Sequence, residues 1–267
     1  MPSHVAANGI SFNYRFDGPR NRPVVMLANS LMCDLSMWEP QVPALAEGYR
    51  VLRYDTRGHG GTDAPAGPYT IGLLAADAVA LLDALGLERV HFVGLSLGGM
   101  TGQFLGARHP ERLLSLVLCD TASRMPAPEV WDGRIRTAET RGIEPLIPAT
   151  LERWFTAPFR ERGGDAIERV AAMIRRTPVA GYVGCCHAIR DMDQTDLLAG
   201  IGAPTLVIVG ADDPSTPVAA ARAIHERIAG SELAVIGDAA HLPNIERPEA
   251  FNAALLGFLA RVGRGRR

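Results

Sequence analysis

Apolar and polar residues alternate early in the chain, with Ile10, Phe12, Tyr14 and Phe16 set between polar neighbours. This period of two predicts a half-exposed strand, antiparallel and near a sheet edge, ended by Asp17-Gly18-Pro19. Pro23 to Ala28 is instead continuously apolar, as a central parallel strand covered on both faces must be. The same reasoning places strands at 49–54, 90–95, 113–119, 205–209 and 232–236, and helices at about 38–47, 72–86, 218–229 and 248–261. The alternation predicts an α/β protein with a mostly parallel central sheet and helices on both faces. Between 121 and 200 no run reads as a strand, and helical pieces are separated by Pro126, Pro128, Gly142, Pro145, Pro148, Pro158, Gly163-Gly164 and Pro178. We expect residues 121–200 to be a helical lid inserted into one core made of 1–120 and 201–267.

Composition narrows the chemistry. With 267 residues, 47% hydrophobic and 21% charged, the chain can bury a large core. A net charge of −2 gives no electrostatic reason to expect nucleic acid or an anionic membrane as partner. The chain has no lysine, so chemistry that needs a lysine Schiff base is excluded. Cys33, Cys119, Cys185 and Cys186 lack metal-ligand spacing and read as reduced thiols; no metal or cofactor is expected. The first eight residues lack the charged and apolar regions of a secretion signal, and no apolar run approaches a membrane span, so a cytoplasmic location is expected. The tail Arg261 to Arg267 reads as a solvated end, and a homo-oligomer is left open.

The strand Val90 to Leu95 runs through Gly94-Leu95-Ser96-Leu97-Gly98 directly into helical sequence. A strand, a sharp glycine-flanked turn and a helix expose the Ser96 hydroxyl at a strand end as a nucleophile, with the helix N-terminus aimed at a developing oxyanion. Such a serine needs a base, and the base an orienting carboxylate. The strand at 205–209 is followed by Gly210-Ala211-Asp212-Asp213, and the one at 232–236 by Gly237-Asp238-Ala239-Ala240-His241. Either aspartate fits the acid. His241 fits the base better than His59, which is read with Asp55 and Arg57 as holding its own glycine-rich turn. The backbone N–H groups of Leu97 and Leu31 are the expected oxyanion donors.

Over essentially its full length the chain resembles the α/β-hydrolase superfamily, and within it the bacterial 3-oxoadipate enol-lactonases. The segments that carry this are Asn29-Ser30-Leu31 with Trp38, Arg53 to Gly60, Gly94 to Gly99 with Gly102-Gln103, Arg153-Trp154-Phe155-Thr156, Gly181-Tyr182 with Cys185-Cys186, and Ala240-His241-Leu242 with Asn244-Ile245-Glu246. In this family the acid lies three residues after the glycine that ends its strand, which implies Asp213. The family's oxyanion loop continues with glycine where this chain has Met32. The resemblance implies an α/β-hydrolase fold and cofactor-free opening of a small anionic lactone by Ser96, His241 and Asp213, a step of catechol and protocatechuate breakdown. A carboxylate in an apolar cleft needs a cation. Arg134, one helical turn after Trp131, is the expected partner, with Trp154 in the same pocket and Arg153 and Arg190 as competitors. Rival readings on the same triad are a carboxylesterase, a perhydrolase-like enzyme and a carbon–carbon bond hydrolase; a non-catalytic ligand receptor is the rival of another class.

Overall fold

Strands β1 (Ser3–Ala7), β2 (Ile10–Asp17), β3 (Val24–Ala28), β4 (Arg50–Tyr54), β5 (Val90–Leu95), β6 (Leu113–Cys119), β7 (Thr205–Gly210) and β8 (Glu232–Ile236) form one sheet in the order β1-β2-β4-β3-β5-β6-β7-β8. They are seen in a computed structural model that describes residues 3–125 and 127–265. The predicted breaker Pro126, Met1 and Pro2 of the N-terminal stretch, and Arg266 and Arg267 of the tail lie outside the described residues. From β4 to β8 every pairing is parallel; β2 runs antiparallel to both β1 and β4.

The apolar strands sort their side chains by the period of two. Val25, Leu27, Val93, Leu95, Val117, Leu206 and Ile208 join one core cluster, and their neighbours Met26, Ala28, Phe92, Leu116, Leu118 and Val207 join the other. Helices α1 (Val42–Ala46), α2 (Ile71–Ala84), α3 (Leu97–Arg108), α4 (Pro128–Arg141), α5 (Ile147–Trp154), α6 (Ala157–Arg162), α7 (Gly164–Arg176), α8 (Val179–Asp191), α9 (Val218–Arg227), α10 (Pro243–Glu246) and α11 (Pro248–Arg264) complete the chain. Ala75, Ala78 and Leu81 of α2 and Ile224 of α9 cover one face of the sheet. Phe251, Leu255 and Phe258 of α11 cover the other, where Trp131, Ile135, Trp154, Ile174 and Ile189 of α4 to α8 belong to the same cluster. Between β6 and β7 the described residues contain helices and a single isolated bridge, Arg124 with Asp193. Among the described residues no helix is long and apolar enough to cross a membrane.

Two elements differ from the sequence reading. The edge strand β1 was not expected: it is short, and only Val5 and Ala7 of its side chains pack against the core. The Asn8-Gly9 pair, with φ of 44° and 76°, closes a two-residue hairpin between Ala7 and Ile10. The helix expected over 38–47 is a 3₁₀ turn, Leu35–Trp38, capped by the Asp34 side chain, then the short α1.

Candidate active site

The parallel strands all end on one edge of the sheet, so the loops after β3, β4, β5, β6, β7 and β8 converge there. Ser96 stands between β5 and α3 with φ 53° and ψ −110°, a sparsely populated backbone conformation that costs an L-residue about 1–3 kcal/mol. The turn closes that tightly because its flanks lack side chains. A Cβ on Gly94 would lie 2.1 Å from the Gly98 carbonyl oxygen, and one on Gly98 would lie 2.3 Å from that of Ala28.

The loops after β7 and β8 carry Asp213 and His241. His241 Nδ1 lies 2.8 Å from Asp213 Oδ2, and both side chains are buried. Asp213 is filled on every side: the N–H groups of Ser215 and Thr216 donate to Oδ1 at 2.7 and 3.2 Å, and the Thr216 hydroxyl donates to Oδ2 at 2.6 Å. Burial pushes this carboxyl up, but the charge and hydrogen bond of His241 with those other donors outweigh it, so Asp213 is held below the ordinary aspartate range. Nδ1 therefore keeps its hydrogen toward Asp213, leaving Nε2 free to accept a proton. Asp212 is exposed, gives its N–H to Ala239, and lines a separate surface groove of about 780 Å³ that neither Ser96 nor His241 reaches.

Several contacts around His241 were not anticipated from the sequence. Glu246 of α10 accepts the N–H of Ala240 at 2.9 Å together with the N–H and hydroxyl of Thr156. The Leu242 N–H donates to the Trp154 carbonyl at 3.3 Å, and the Trp154 ring lies 6.1 Å from that of His241. His241 is thus gripped on both sides by the α5–α6 segment. Thr216 could have been found from its place three residues after Asp213, the spacing at which an aspartate folds its own turn.

Asp120, at the end of β6, is a second missed carboxyl. It is fully buried at φ 44°, and its Oδ1 accepts the Gly210 N–H at 2.8 Å while Oδ2 has no partner. Burial and the nearby Asp213 charge push its pKa well above the ordinary value, which favours its protonated form. Asp120→Asn, which keeps a side-chain oxygen for the Gly210 N–H, is expected to leave kcat within about threefold of wild type. A loss of two orders of magnitude in steady-state assays would show instead that Asp120 works ionised.

Ser96 and His241 open onto a cavity of about 240 Å³ that Leu31, Met32, Trp131, Arg134, Arg153, Trp154 and Tyr182 also line. Its lining among the described residues includes two arginines and no carboxylate. The Arg134 guanidinium sits 4.6 Å over the Trp131 ring. Arg153 donates to Thr150 Oγ1 at 3.2 Å; burial first, then the Arg134 charge, pull it below the ordinary arginine value. Arg190 is elsewhere, paired with Asp132 and Asp191 at 2.8 and 2.7 Å. Among the described residues the N–H groups of Leu31 and Leu97 have no acceptor, whereas the flanking Ser30 N–H meets Met37 Sδ at 3.4 Å and the Met32 N–H meets His59 Nε2 at 2.9 Å. Met32 has φ 62°, the conformation for which glycine is suited, and its side chain forms part of the cavity wall. Among the described residues no group of three or more His, Cys, Asp or Glu is placed to hold a metal ion.

Comparison with known proteins puts this geometry in a family. Residues 23–248 match the model of the alpha/beta hydrolase fold family. The chain is 37% identical over 257 residues to 3-oxoadipate enol-lactonase 2 of Acinetobacter baylyi, covering 96% of both. Its fold matches the crystal structure of the enol-lactonase from Burkholderia xenovorans LB400 at a TM-score of 0.95 and 44% identity, over 97% of this chain and 100% of that one. A thermophilic esterase from Thermogutta terrifontis, solved with malate bound, matches at a TM-score of 0.92 and 30% identity over 98% and 99% of the two chains.

Proposed function

The chain belongs to the alpha/beta hydrolase fold family and is a carboxylic ester hydrolase; we propose that its substrate is 3-oxoadipate enol-lactone, opened to 3-oxoadipate in the breakdown of aromatic compounds. One observation carries the choice of substrate: a small cavity with Ser96 and His241 on its wall also presents two arginines and no acid. Such a site favours a compact monoanion whose carboxylate meets the arginines while its ester carbonyl meets the serine. On this reading residues 121–200 act as a lid that closes the cavity and supplies those arginines.

Ser96 Oγ attacks the lactone carbonyl as His241 Nε2 takes its proton, and Asp213 stabilises the imidazolium through Nδ1. The N–H groups of Leu31 and Leu97 receive the oxyanion. Collapse breaks the ring C–O bond and releases an enolate, a far better leaving group than an alkoxide, which takes the proton held on His241 Nε2 to become the ketone and leaves His241 neutral. Water, deprotonated by His241, then attacks the acyl-enzyme, and the returning proton frees Ser96.

A panel of lactones and esters, followed by loss of ring absorbance or release of acid, tests the assignment. The enol-lactone is expected to exceed neutral lactones and simple esters in kcat/KM by about 10²-fold, the worth of one charged contact. Equal turnover of neutral esters would remove the substrate assignment.

A further inference from the structure

The sequence suggests that Asp55, Arg57 and His59 hold their own turn, and Asp55 and His59 also reach across to the loop after β3. Asp55 Oδ1 accepts the Leu35 N–H at 2.6 Å, while its Oδ2 is filled by the Asn13 amide at 2.6 Å and the Gly61 N–H at 2.8 Å. His59 is fully buried, with Nε2 2.9 Å from the Met32 nitrogen and Nδ1 3.2 Å from the Arg57 carbonyl oxygen. A backbone N–H can only donate, so Nε2 must be bare and Nδ1 must carry the hydrogen, which it gives to Arg57. That carbonyl belongs to a residue fixed by two 2.6 Å bonds from its guanidinium to Asp77. Burial pulls the His59 pKa to about 4, against the Arg57 carbonyl and the Asp34 charge, so the acceptor persists at neutral pH.

The loop needs this outside grip. Met32 sits at φ 62°, where a side chain is strained, so the local backbone does not favour the turn that follows Leu31. We propose that His59 is a positioning residue, which holds the Met32 N–H and thereby keeps the neighbouring Leu31 N–H aimed into the cavity as an oxyanion donor. The inference rests on the reading of Ser96 and the Leu31–Leu97 hole given above.

The experiment compares wild type, His59→Leu, His59→Gln and Ser96→Ala on a neutral activated ester and against a trifluoromethyl ketone that mimics the tetrahedral adduct. His59→Leu, which deletes the acceptor, should lower kcat about 10²-fold with KM within about threefold, and weaken the ketone in proportion. His59→Gln offers an amide oxygen to the Met32 N–H and should recover kcat to within about tenfold of wild type. Wild-type turnover that survives Ser96→Ala overturns the site reading and the inference with it. Turnover abolished by Ser96→Ala but unchanged in His59→Leu, or lost equally in the leucine and glutamine variants, overturns the inference alone. Ring nitrogen NMR of the wild-type protein gives a readout that needs no variant to fold: an Nδ1–H tautomer with Nε2 accepting supports the tether, and an Nε2–H tautomer overturns it.

Discussion

Ser96→Ala is expected to lower kcat by about 10⁵–10⁶-fold and His241→Ala by a similar factor, because nucleophile and base act as one unit and removing either leaves only binding and the oxyanion donors. Asp213→Asn should cost about 10⁴-fold. An amide there would present N–H groups to the Thr216 hydroxyl and His241 Nδ1, both of which now donate to Oδ2, and would favour the wrong imidazole tautomer. Asp212→Asn is expected to stay within about threefold of wild type, since that side chain is exposed and lines a groove other than that of Ser96 and His241. Steady-state kcat alongside thermal unfolding separates chemistry from folding. Near-normal turnover in Asp213→Asn would move the acid elsewhere, and the buried Asp120 would be the first place to look.

Arg134→Met is expected to raise KM for the anionic lactone by about 10–100-fold while leaving a neutral ester almost unchanged, because a charged hydrogen bond is worth roughly 1.5–3 kcal/mol. Methionine keeps much of the packing against Trp131 and removes only the charge. Arg153 shares the cavity and feels the Arg134 charge, so Arg153→Met should produce a smaller loss of the same kind. The double variant should show coupling rather than simple addition, as neighbouring groups do. Kinetics on matched charged and neutral substrates decide it. Equal damage to both substrates would mean that Arg134 holds α4 in place; a loss confined to Arg153→Met would make Arg153 the partner.

The contest among the three arginines shows where reading the chain reaches its limit. Arg134, Arg153 and Arg190 all stand beside aromatic or helical sequence, and the one-turn spacing of Trp131 and Arg134 favours one of them without showing which faces a cavity. Asp191 follows Arg190 in the chain, but packing is what brings Asp132 to it as well and leaves the other two facing the cavity. His59 makes the same point. Its role follows from a bond to Met32, a residue on a different strand's loop, and no spacing within its own turn encodes that contact. The strand β1 is a different kind of omission, since the Asn8-Gly9 hairpin signal was in the sequence and outweighed the polar edge.

What the sequence by itself determined is therefore what short-range periodicity and local sterics control. Continuous apolar runs could only be buried strands, and the alternation of strands with helices set the layered parallel sheet. Gly94 and Gly98 around Ser96 marked a turn too tight for any Cβ. What only the tertiary structure decided depends on groups far apart in the chain. The carboxylate that reaches His241 lies 28 residues before it, and Glu246 joins the His241 loop to Thr156, 90 residues away. Hydrogen bonds and charge pairs act over a few ångströms in space, and only the folded sheet, by ending its parallel strands on one edge, brings those loops within that range.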